Sequence, residues 1–560
     1  MAGGLLNLVS QGQQNILLNG NPSKTFWKTT YKKYTNFGMQ NFRLDFEGTP
    51  SLSLTHESTY TFNIKRYADL LMDCYLSFDL PNIWSPIFPP REVIENGTVQ
   101  FTDWVPYEFR WIENIGALMI NKITITCGNQ KLQEYSGQYL LSAVQRDYPD
   151  QKLKLFNEMI GNITELNDPA NSGSYINTYP NAFYTTNPAG AQPSINGRTL
   201  YIPLNAWFCL KPQMAFPLVS LQYNELKITI TLKAINELFQ VRDVLDYTNG
   251  YPYIAPNFNE YSQQMYRFLQ TPPDVPIDIN SYNDKRSIWN PNLHLNCTYC
   301  FLSNDESTIF AKNNQSYLIK QVYEKIFYNL SGTNKVDLDS LGMVASWMFF
   351  FRRSDANLRN EWSNYTNWPY NYLPFQVQLA SVLGTFPNPN KLAGPLLIGP
   401  GVTPYDTLTG LQITGVYNPQ NNKNILTTMA ILLDGDYREN TLPAGVFNFV
   451  QKYVRTNGFA PSGLYCYNFC LDTDPFNLQP SGAMNMSRFT NIQFEFTTII
   501  PPIDPYAQTL NICDEESGDI IGINKPTWRI FEYNYDLYVY EERINMITFV
   551  GGNAGLMYAT

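Results

Sequence analysis

Histidine is the scarcest chemically active residue in this sequence, with two copies, His56 and His294, among 560 residues. Much general acid–base catalysis and many zinc sites depend on histidine side chains. Both histidines lie in strand-like surroundings, which makes a Ser-His-Asp triad a poor interpretation. The patterns G-x-S-x-G, G-x-x-x-x-G-K-[ST] and H-E-x-x-H are also absent from the sequence. The sequence therefore offers no recognisable catalytic centre.

Charged residues are sparse as well, at 15% of the chain against about 25% in an average soluble protein. Acidic residues outnumber basic ones, 48 to 38, and the net charge is −10. Nonspecific nucleic-acid binding depends on a surplus of lysine and arginine, so direct binding to a genome is not expected. A surface with so few charges is suited to contacts with neighbouring proteins.

Cysteine is too rare for a secreted disulfide scaffold, with eight residues in the whole chain. We expect these side chains to remain buried thiols in a reducing compartment. The N-terminal sequence lacks the basic and apolar regions of a signal peptide, and no run of 18 or more apolar residues predicts a membrane span. These observations predict a chain that folds in the cytoplasm.

Aromatic residues are abundant, at 15% of the chain, and they occur in segments where apolar and polar side chains alternate. Such alternation predicts β-strands with one buried face. The clearest predicted strands fall within 118–127, 226–232, 492–496 and 533–540. Helical periodicity is confined to short stretches at 138–146 and 151–160. The sequence thus predicts an all-β sandwich or barrel with long loops and a few short helices.

Two β-domains are predicted, because similar closing segments occur in both halves of the chain. In each half, at 201–232 and again at 465–496, a strand is followed by a loop with proline, an asparagine turn and an alternating strand. A stretch rich in proline and tyrosine separates the halves. The predicted divisions are an N-terminal arm at 1–25, a first domain at 26–235, a connection at 236–292 and a second domain at 293–560.

Several segments, in order along the chain, resemble the major capsid proteins of nucleocytoplasmic large DNA viruses. The N-terminal matches are Gly3-Gly4-Leu5, Gly20-Asn21-Pro22 and Phe26-Trp27-Lys28. Residues 68–81 resemble an early strand of that family, and residues 111–132 resemble its central hairpin. The remaining similar segments are YIPLNAWFCLKPQMAFPLVSLQYNELKI (201–228), LNCTYCFLSNDES (295–307), QPSGAMNMSRF (479–489) and GGNAGLMY (551–558). Residues 352–370 resemble a mimivirus-like branch.

The resemblance implies a double jelly roll, that is, two tandem eight-stranded antiparallel jelly rolls. It also implies a structural role, in which three chains form a capsomer of near-hexagonal outline and many capsomers tile an icosahedral virus shell. The implied partners are two further copies in a homotrimer, neighbouring capsomers, minor capsid and penton proteins, and an internal membrane. No enzymatic activity and no cofactor are implied. The implied location is the virion, after assembly in the host cytoplasm.

The N-terminal arm and the basic, aromatic stretch after it are the candidate contact surface. Leu5 and Leu6 belong to a short apolar cluster, and such a cluster outside a core typically binds a neighbour or a membrane. Four lysines lie among the aromatic residues of the stretch 24–34: Lys24, Lys28, Lys32 and Lys33. One interpretation is contact with anionic lipid headgroups or nucleic acid inside a shell. The other, which we favour, is a packed first strand whose lysines face water.

Cysteine pairs and acidic clusters are the candidate metal ligands. The cysteine pairs are Cys297/Cys300, near His294, and Cys466/Cys470. Both pairs fall in strand-like segments, which favours buried thiols over zinc ligands. The acidic clusters are Asp434/Asp436, Asp472/Asp474 and Asp514-Glu515-Glu516. No EF-hand pattern accompanies them, and turn formation explains the first two.

Two functions of other classes are compatible with a β-sandwich. One is a carbohydrate- or receptor-binding protein, which would need a shallow aromatic groove. The other is a secreted glycan hydrolase, whose activity would depend on a pair of carboxylates. The lack of a recognisable signal peptide argues against both.

Overall fold

Two groups of eight long antiparallel strands form the framework of the protein. The computed structural model of the chain describes residues 12–48, 51–88, 92–95, 98–101, 105–182, 190–244, 252–273, 280–371, 396–399, 402–406, 422–501, 510–513, 520–524 and 533–558. In both groups, two four-stranded sheets face each other across an apolar core. Each group is therefore a β-sandwich.

The first sandwich consists of sheets A and B. Its strands are β1 (Phe37–Leu44), β2 (Ser58–Ile64), β3 (Leu70–Leu80), β4 (Ile120–Cys127), β5 (Gln130–Tyr135), β6 (Arg198–Pro203), β7 (Leu226–Leu232) and β8 (His294–Leu302). Sheet A has the strand order β1-β8-β3-β6, and sheet B has the order β2-β7-β4-β5.

The second sandwich, of sheets C and D, repeats this arrangement. Its strands are β9 (Gln315–Leu330), β10 (Thr333–Asp337), β11 (Met343–Arg353), β12 (Leu426–Leu433), β13 (Asp436–Pro443), β14 (Leu464–Asn468), β15 (Ile492–Thr498) and β16 (Tyr535–Val550). Sheet C has the order β9-β16-β11-β14 and sheet D the order β10-β15-β12-β13. Every strand thus occupies the place of the strand eight positions earlier. The predicted double jelly roll is confirmed.

Alternating side chains explain why these segments form strands. In β7, Leu226, Ile228, Ile230 and Leu232 are buried while the residues between them are half-exposed, as expected for a strand with one face on a core. The predicted strand at 533–540 is longer than expected, because β16 continues to Val550 and pairs with β9 along nearly its whole length. The apolar face predicted for it, which includes Leu537 and Val539, lies in the second core.

The helices are short and lie in the connections between strands. They are α1 (Gly137–Asp147), α2 (Asp150–Ile160), α3 (Asn304–Lys312) and α4 (Gln451–Arg455), the last continuing a π-helical turn at Val446–Val450. Both predicted helices are confirmed, and α2 ends at Gly161, whose φ of 76° suits a residue without a β-carbon. Single helical turns occur at Ile16–Asn19, Ile115–Leu118 and Thr164–Asn167.

Segments of the connections form small sheets of their own. A three-stranded sheet joins Phe109–Trp111, Phe239–Arg242 and Tyr253–Ile254. Two-stranded pairs are Ile87–Phe88 with Val105–Pro106, Glu92–Glu95 with Thr98–Phe101, Leu396–Gly399 with Val402–Asp406, and Leu510–Cys513 with Ile520–Asn524. Short strands at Phe216–Pro217, Met484–Asn485 and Asn553–Leu556 extend sheets A and C.

Strand pairing corrects the predicted domain boundaries. β8 lies between β1 and β3, with Thr298 opposite Asn41 and Asn296 opposite Tyr75. The segment 236–292 therefore connects the seventh and eighth strands of the first jelly roll and does not join the two domains. The chain passes to the second jelly roll after Leu302, through α3. The first strand begins at Phe37, later than predicted.

Most of the long connections of each jelly roll begin and end at the same end of the sandwich. Because successive strands run in opposite directions, the connections after the first, third, fifth and seventh strands lie at the same end of a sandwich. The connections whose flanking strands end there include 81–119, 136–197 and 233–293 in the first jelly roll, and 354–425, 444–463 and 499–534 in the second. The opposite end has two-residue turns at 128–129 and 434–435, where Gly128 and Gly435 have positive φ, and the connections 204–225 and 469–491. The helices α1, α2 and α4 consequently lie at the long-loop end.

Candidate assembly surfaces

Helix α1 joins the two jelly rolls by lying on the outward face of sheet C. Its Tyr139 and Ala143 pack on a buried apolar cluster that includes Met348, Phe350 and Tyr540. The Tyr139 and Tyr540 rings meet edge-on, 5.6 Å apart. Burial of this much aromatic surface away from water is strongly favourable, so the two jelly rolls behave as one structural unit.

Arg146, at the end of α1, forms a buried ionic cluster within this interface. Its side chain has no exposed surface. Nη2 donates to Glu542 at 2.8 and 3.1 Å and to Asp147 at 2.6 Å, and Nη1 donates to Ser346 at 3.2 Å. The Thr473 hydroxyl donates to Asp147 at 2.6 Å. Arg146 and Asp147 come from the first jelly roll, and their other partners come from the second.

The cluster perturbs both of its carboxyls. Burial raises the pKa of Glu542, but attraction to Arg146 and Lys320 and the hydrogen bond from Ser346 outweigh burial and lower the pKa from 4.5 to about 2. At Asp147 burial prevails over the attraction of Arg146, and the pKa is raised. The Arg146 guanidinium therefore offsets only part of the cost of burying two charged carboxylates.

A second ionic cluster fixes the connection after β11. Asp355 accepts hydrogen bonds from Arg353 at 2.8 and 2.6 Å and from Arg359 at 3.0 and 3.2 Å. The neighbouring Asn360 donates to the carbonyls of Asn236 and Phe239, at 2.6 and 2.8 Å. The cluster thus holds the loop after β11 against the β7–β8 connection of the first jelly roll.

Neither cluster was found by sequence reasoning. Arg146 and Glu542 are separated by 396 positions, and no local pattern relates them. The second cluster had a weak signal, because Asp355 stands between two arginines, at i−2 and i+4, in a sequence with few charges. Residues 352–370 were singled out for their resemblance to a virus family but not for this ion pairing.

The N-terminal candidate residues lie on an exposed segment. Lys24, Lys28, Lys32 and Lys33 are exposed and precede β1, so the favoured interpretation of a packed first strand is wrong. The aromatic residues of the stretch 24–34 and two preceding leucines are at least 84% exposed: Leu17, Leu18, Phe26, Trp27, Tyr31 and Tyr34. Leu5 and Leu6 lie outside the described residues. In the described part of the chain, no helix is long and apolar enough to cross a bilayer.

The candidate metal ligands have structural roles. Cys297 and Cys300 are buried in β8, and Cys297 lies opposite Cys74 of β3. Cys466 and Cys470 are also buried, and burial raises the pKa of Cys466 to about 11. The His294 Nδ1 atom lies 2.6 Å from the Asn292 carbonyl oxygen. Among the described residues, no group of three His, Cys, Asp or Glu side chains is arranged to hold a metal.

The acidic clusters form turns where they are described. Asp434 accepts hydrogen bonds from the backbone N–H groups of Thr490 and Asn491, at 2.7 and 2.8 Å. Asp472 and Asp474 each accept from the backbone N–H two residues later, at 2.9 and 2.8 Å, which is the Asx-turn arrangement. The cluster at 514–516 lies outside the described residues.

Two family models match the chain, one to each jelly roll. "Major capsid protein N-terminus" matches residues 25–268, and "Large eukaryotic DNA virus major capsid protein" matches residues 306–555. The gap between the matches contains β8.

Whole-length relatives include viral capsid proteins. The major capsid protein of Phaeocystis pouchetii virus is 24% identical over 607 residues, and that of Paramecium bursaria Chlorella virus 1 is 25% identical over 559 residues; each alignment covers 100% of both chains. Probable capsid protein 4 of Acanthamoeba polyphaga mimivirus is 22% identical, covering 88% of this chain and 92% of that protein. A mimivirus protein is therefore among the relatives.

Solved structures share the fold. PBCV-1 VP54, in a crystal structure fitted into a reconstruction of the virophage Sputnik, has a TM-score of 0.59 at 19% identity, covering 96% of this chain and 100% of that chain. The Faustovirus major capsid protein has a TM-score of 0.56 at 14% identity, covering 98% of both chains. These likenesses concern the fold alone.

Two sandwiches of the same strand order, joined by a buried interface, define a double jelly-roll protein. The two family matches, which together span most of the sequence, make the assignment more specific. The chain belongs to the major capsid proteins of large eukaryotic DNA viruses. It is a structural component of the icosahedral capsid rather than an enzyme, and it assembles there with neighbouring subunits. Membership of this family does not favour the carbohydrate-binding and hydrolase alternatives.

Proposed function

We propose that three copies of the chain close into a ring and that these capsomers tile the viral shell. The observation that carries the proposal is the matching strand order of β1–β8 and β9–β16. Because each chain supplies two equivalent units, three chains supply six, and six similar units fit a near-hexagonal outline. The low charge content supports dense packing of many copies, since repulsion between them is weak.

The exposed segment 12–36 is proposed to contact partners outside the ring. A run of exposed leucine, phenylalanine, tryptophan and tyrosine side chains next to lysines suits a protein neighbour or an anionic lipid surface. The proposed partners are neighbouring capsomers, minor capsid and penton proteins, and an internal membrane. Direct contact with the genome is not proposed, given the net charge of −10. Assembly is proposed to take place in the host cytoplasm.

The purified chain should behave as a trimer. Size exclusion with light scattering is expected to give about 190 kDa, three times the 64.3 kDa of one chain, because head-to-tail contacts that close after three copies leave no contact unsatisfied. A mass of one chain at all protein concentrations would contradict the proposed ring.

Deleting residues 2–34 should leave the fold and the ring intact but prevent particle assembly. The segment from residue 12 contributes no buried residue before β1, so the melting temperature should change by less than about 2 °C. Assembly would be scored by electron microscopy after co-expression with the other shell proteins. Unfolding of the deletion variant, or recovery of monomers alone, would place the segment in the core or the ring interface.

Two substitution sets distinguish a lipid partner from a protein partner of this segment. Reversing charge at Lys24, Lys28, Lys32 and Lys33 to glutamate should abolish flotation with phosphatidylserine vesicles. Replacing Phe26, Trp27, Tyr31 and Tyr34 by serine should block assembly whichever partner is bound. If the charge-reversed chain still floats with the vesicles, the anionic-surface interpretation is wrong.

A further inference from the structure

A helix follows the fifth strand in both jelly rolls, but among the described residues only the first of the two helices packs against the other jelly roll. In the first jelly roll α1 follows β5 and lies against sheet C. In the second, the π-helical turn Val446–Val450 and α4 together form what we term the 446–455 helix, which follows β13. Its outer face is apolar and exposed: Phe449 63%, Val450 52%, Tyr453 90% and Val454 57%.

The 446–455 helix is anchored firmly on its inner side. Phe447 and Asn448 are buried, and Lys452 is 9% exposed. The Lys452 ammonium donates to the Asn448 side chain and to the Pro461 carbonyl, both at 3.0 Å. The apolar outer face is therefore held in a fixed position. A fixed apolar face of this kind is a mark of an interaction site.

The outward face of sheet A is the counterpart of the surface that α1 covers on sheet C. Strand β11 at the centre of sheet C corresponds to β3, and β14 corresponds to β6. On sheet A these strands present Tyr75 and Tyr201, whose rings lie 6.1 Å apart, and Tyr201 is 45% exposed. Near one end of this face, α3 packs through Phe310 on Leu70 and Cys300. The tyrosine pair lies farther along the strands.

We propose that the 446–455 helix of one copy lies on the outward face of sheet A of a second copy of the chain. This contact would repeat between chains the one that α1 makes with sheet C within a chain. Each copy carries one such helix and one such sheet, so the contact is head-to-tail and closes when the ring is complete. The inference rests on the proposed ring and names the surfaces that form it.

The double variant Phe449→Ser/Tyr453→Glu tests the helix. Both side chains point away from their own jelly roll, so the fold should be retained, as judged by circular dichroism. The mass in light scattering should fall from about 190 kDa to that of one chain, with the protein concentration at half-dissociation raised at least about 100-fold. The matched control is Leu155→Glu, at an apolar residue 65% exposed on α2, which should leave the mass unchanged.

A disulfide cross-link tests the pairing of the two surfaces directly. A chain with Tyr453→Cys is mixed with a chain carrying Tyr201→Cys, subunits are exchanged, and the mixture is oxidised with a copper–phenanthroline reagent. Each new thiol loses its proton and one electron to the oxidant as the S–S bond forms. A cross-linked dimer that appears only in the mixture, and not with the unsubstituted chain, supports the contact.

The outcomes separate this inference from the ring itself. If the unsubstituted chain is a monomer, the proposed ring fails. If that chain is a trimer but the double variant stays trimeric and the cysteine pair does not cross-link, the ring stands and the assigned surfaces are wrong. If the double variant loses its fold, the cross-link alone decides whether the 446–455 helix and the outward face of sheet A form the contact.

Discussion

Replacing Arg146 by methionine should lower the free energy of unfolding by about 3–5 kcal/mol, because the substitution leaves the carboxylates of Asp147 and Glu542 buried without their cation. Methionine keeps much of the side-chain volume, so the effect reports the lost charge more than a cavity. Urea denaturation followed by tryptophan fluorescence would measure it.

A surface ion pair provides the control for this variant. Arg198 and Glu158 are 3.0 Å apart but 41% and 60% exposed, and Arg198→Met should cost less than about 1 kcal/mol. If Arg146→Met proves equally mild, the buried cluster does not stabilise the junction between the jelly rolls.

The cost of Arg146→Met should also depend on pH. The pKa of Glu542 is about 2 in the folded chain against 4.5 for a free carboxyl, so its ion pair stabilises the fold fully above pH 4.5 and loses this effect as the pH falls towards 2. The difference between the original chain and the variant should therefore shrink on acidification. Asp147, whose pKa is raised, has the opposite effect on the free energy of unfolding as the pH falls. It therefore reduces the net dependence of stability on pH.

Replacing Asp355 by asparagine should have the second large effect, again about 3–5 kcal/mol, because the buried Arg353 then loses its carboxylate and the buried Arg359 keeps only Glu361. The two guanidinium groups overcome the effect of burial and hold the pKa of Asp355 below its usual range. The stabilisation should accordingly persist above about pH 4 and diminish below it.

Limited proteolysis adds a local measure of the Asp355→Asn effect. We expect faster cleavage within 354–371, since the cluster fixes this loop on the first jelly roll. The control is Asp45→Asn, which removes an exposed carboxylate 2.9 Å from Arg43 and should alter neither stability nor cleavage. Unchanged cleavage of the loop in both variants would mean that contacts other than the cluster hold it.

Local pattern predicted the strands well but not their partners. The alternation in 226–232 identified all four core residues of β7, because burial of one strand face leaves a period-two signal in the sequence. The boundary at 293 failed because β8 pairs with a strand some 250 residues earlier, and composition carries no record of such pairing. A stretch rich in proline was taken as an inter-domain connection, although it lies within the first jelly roll.

The N-terminal stretch shows the opposite failure. The stretch around Lys28 and Lys32 was predicted to be a packed first strand whose lysines face water. Trp27 is instead 95% exposed, as suits a chain that assembles with neighbours. A single sequence does not distinguish side chains buried by folding from those available for burial by assembly.

The position of β8 has a consequence for synthesis on the ribosome. Its neighbours β1 and β3 are complete by residue 80, whereas β8 begins at residue 294. At about 5–20 residues per second, the nascent chain exposes the edges of β1 and β3 for roughly ten to forty seconds before their partner emerges. Unpaired edges accept any suitable strand, including β8 of another chain on the same messenger RNA. Correct folding of the first jelly roll therefore requires that no strand of another chain pairs with β1 and β3 before the chain's own β8 is synthesised.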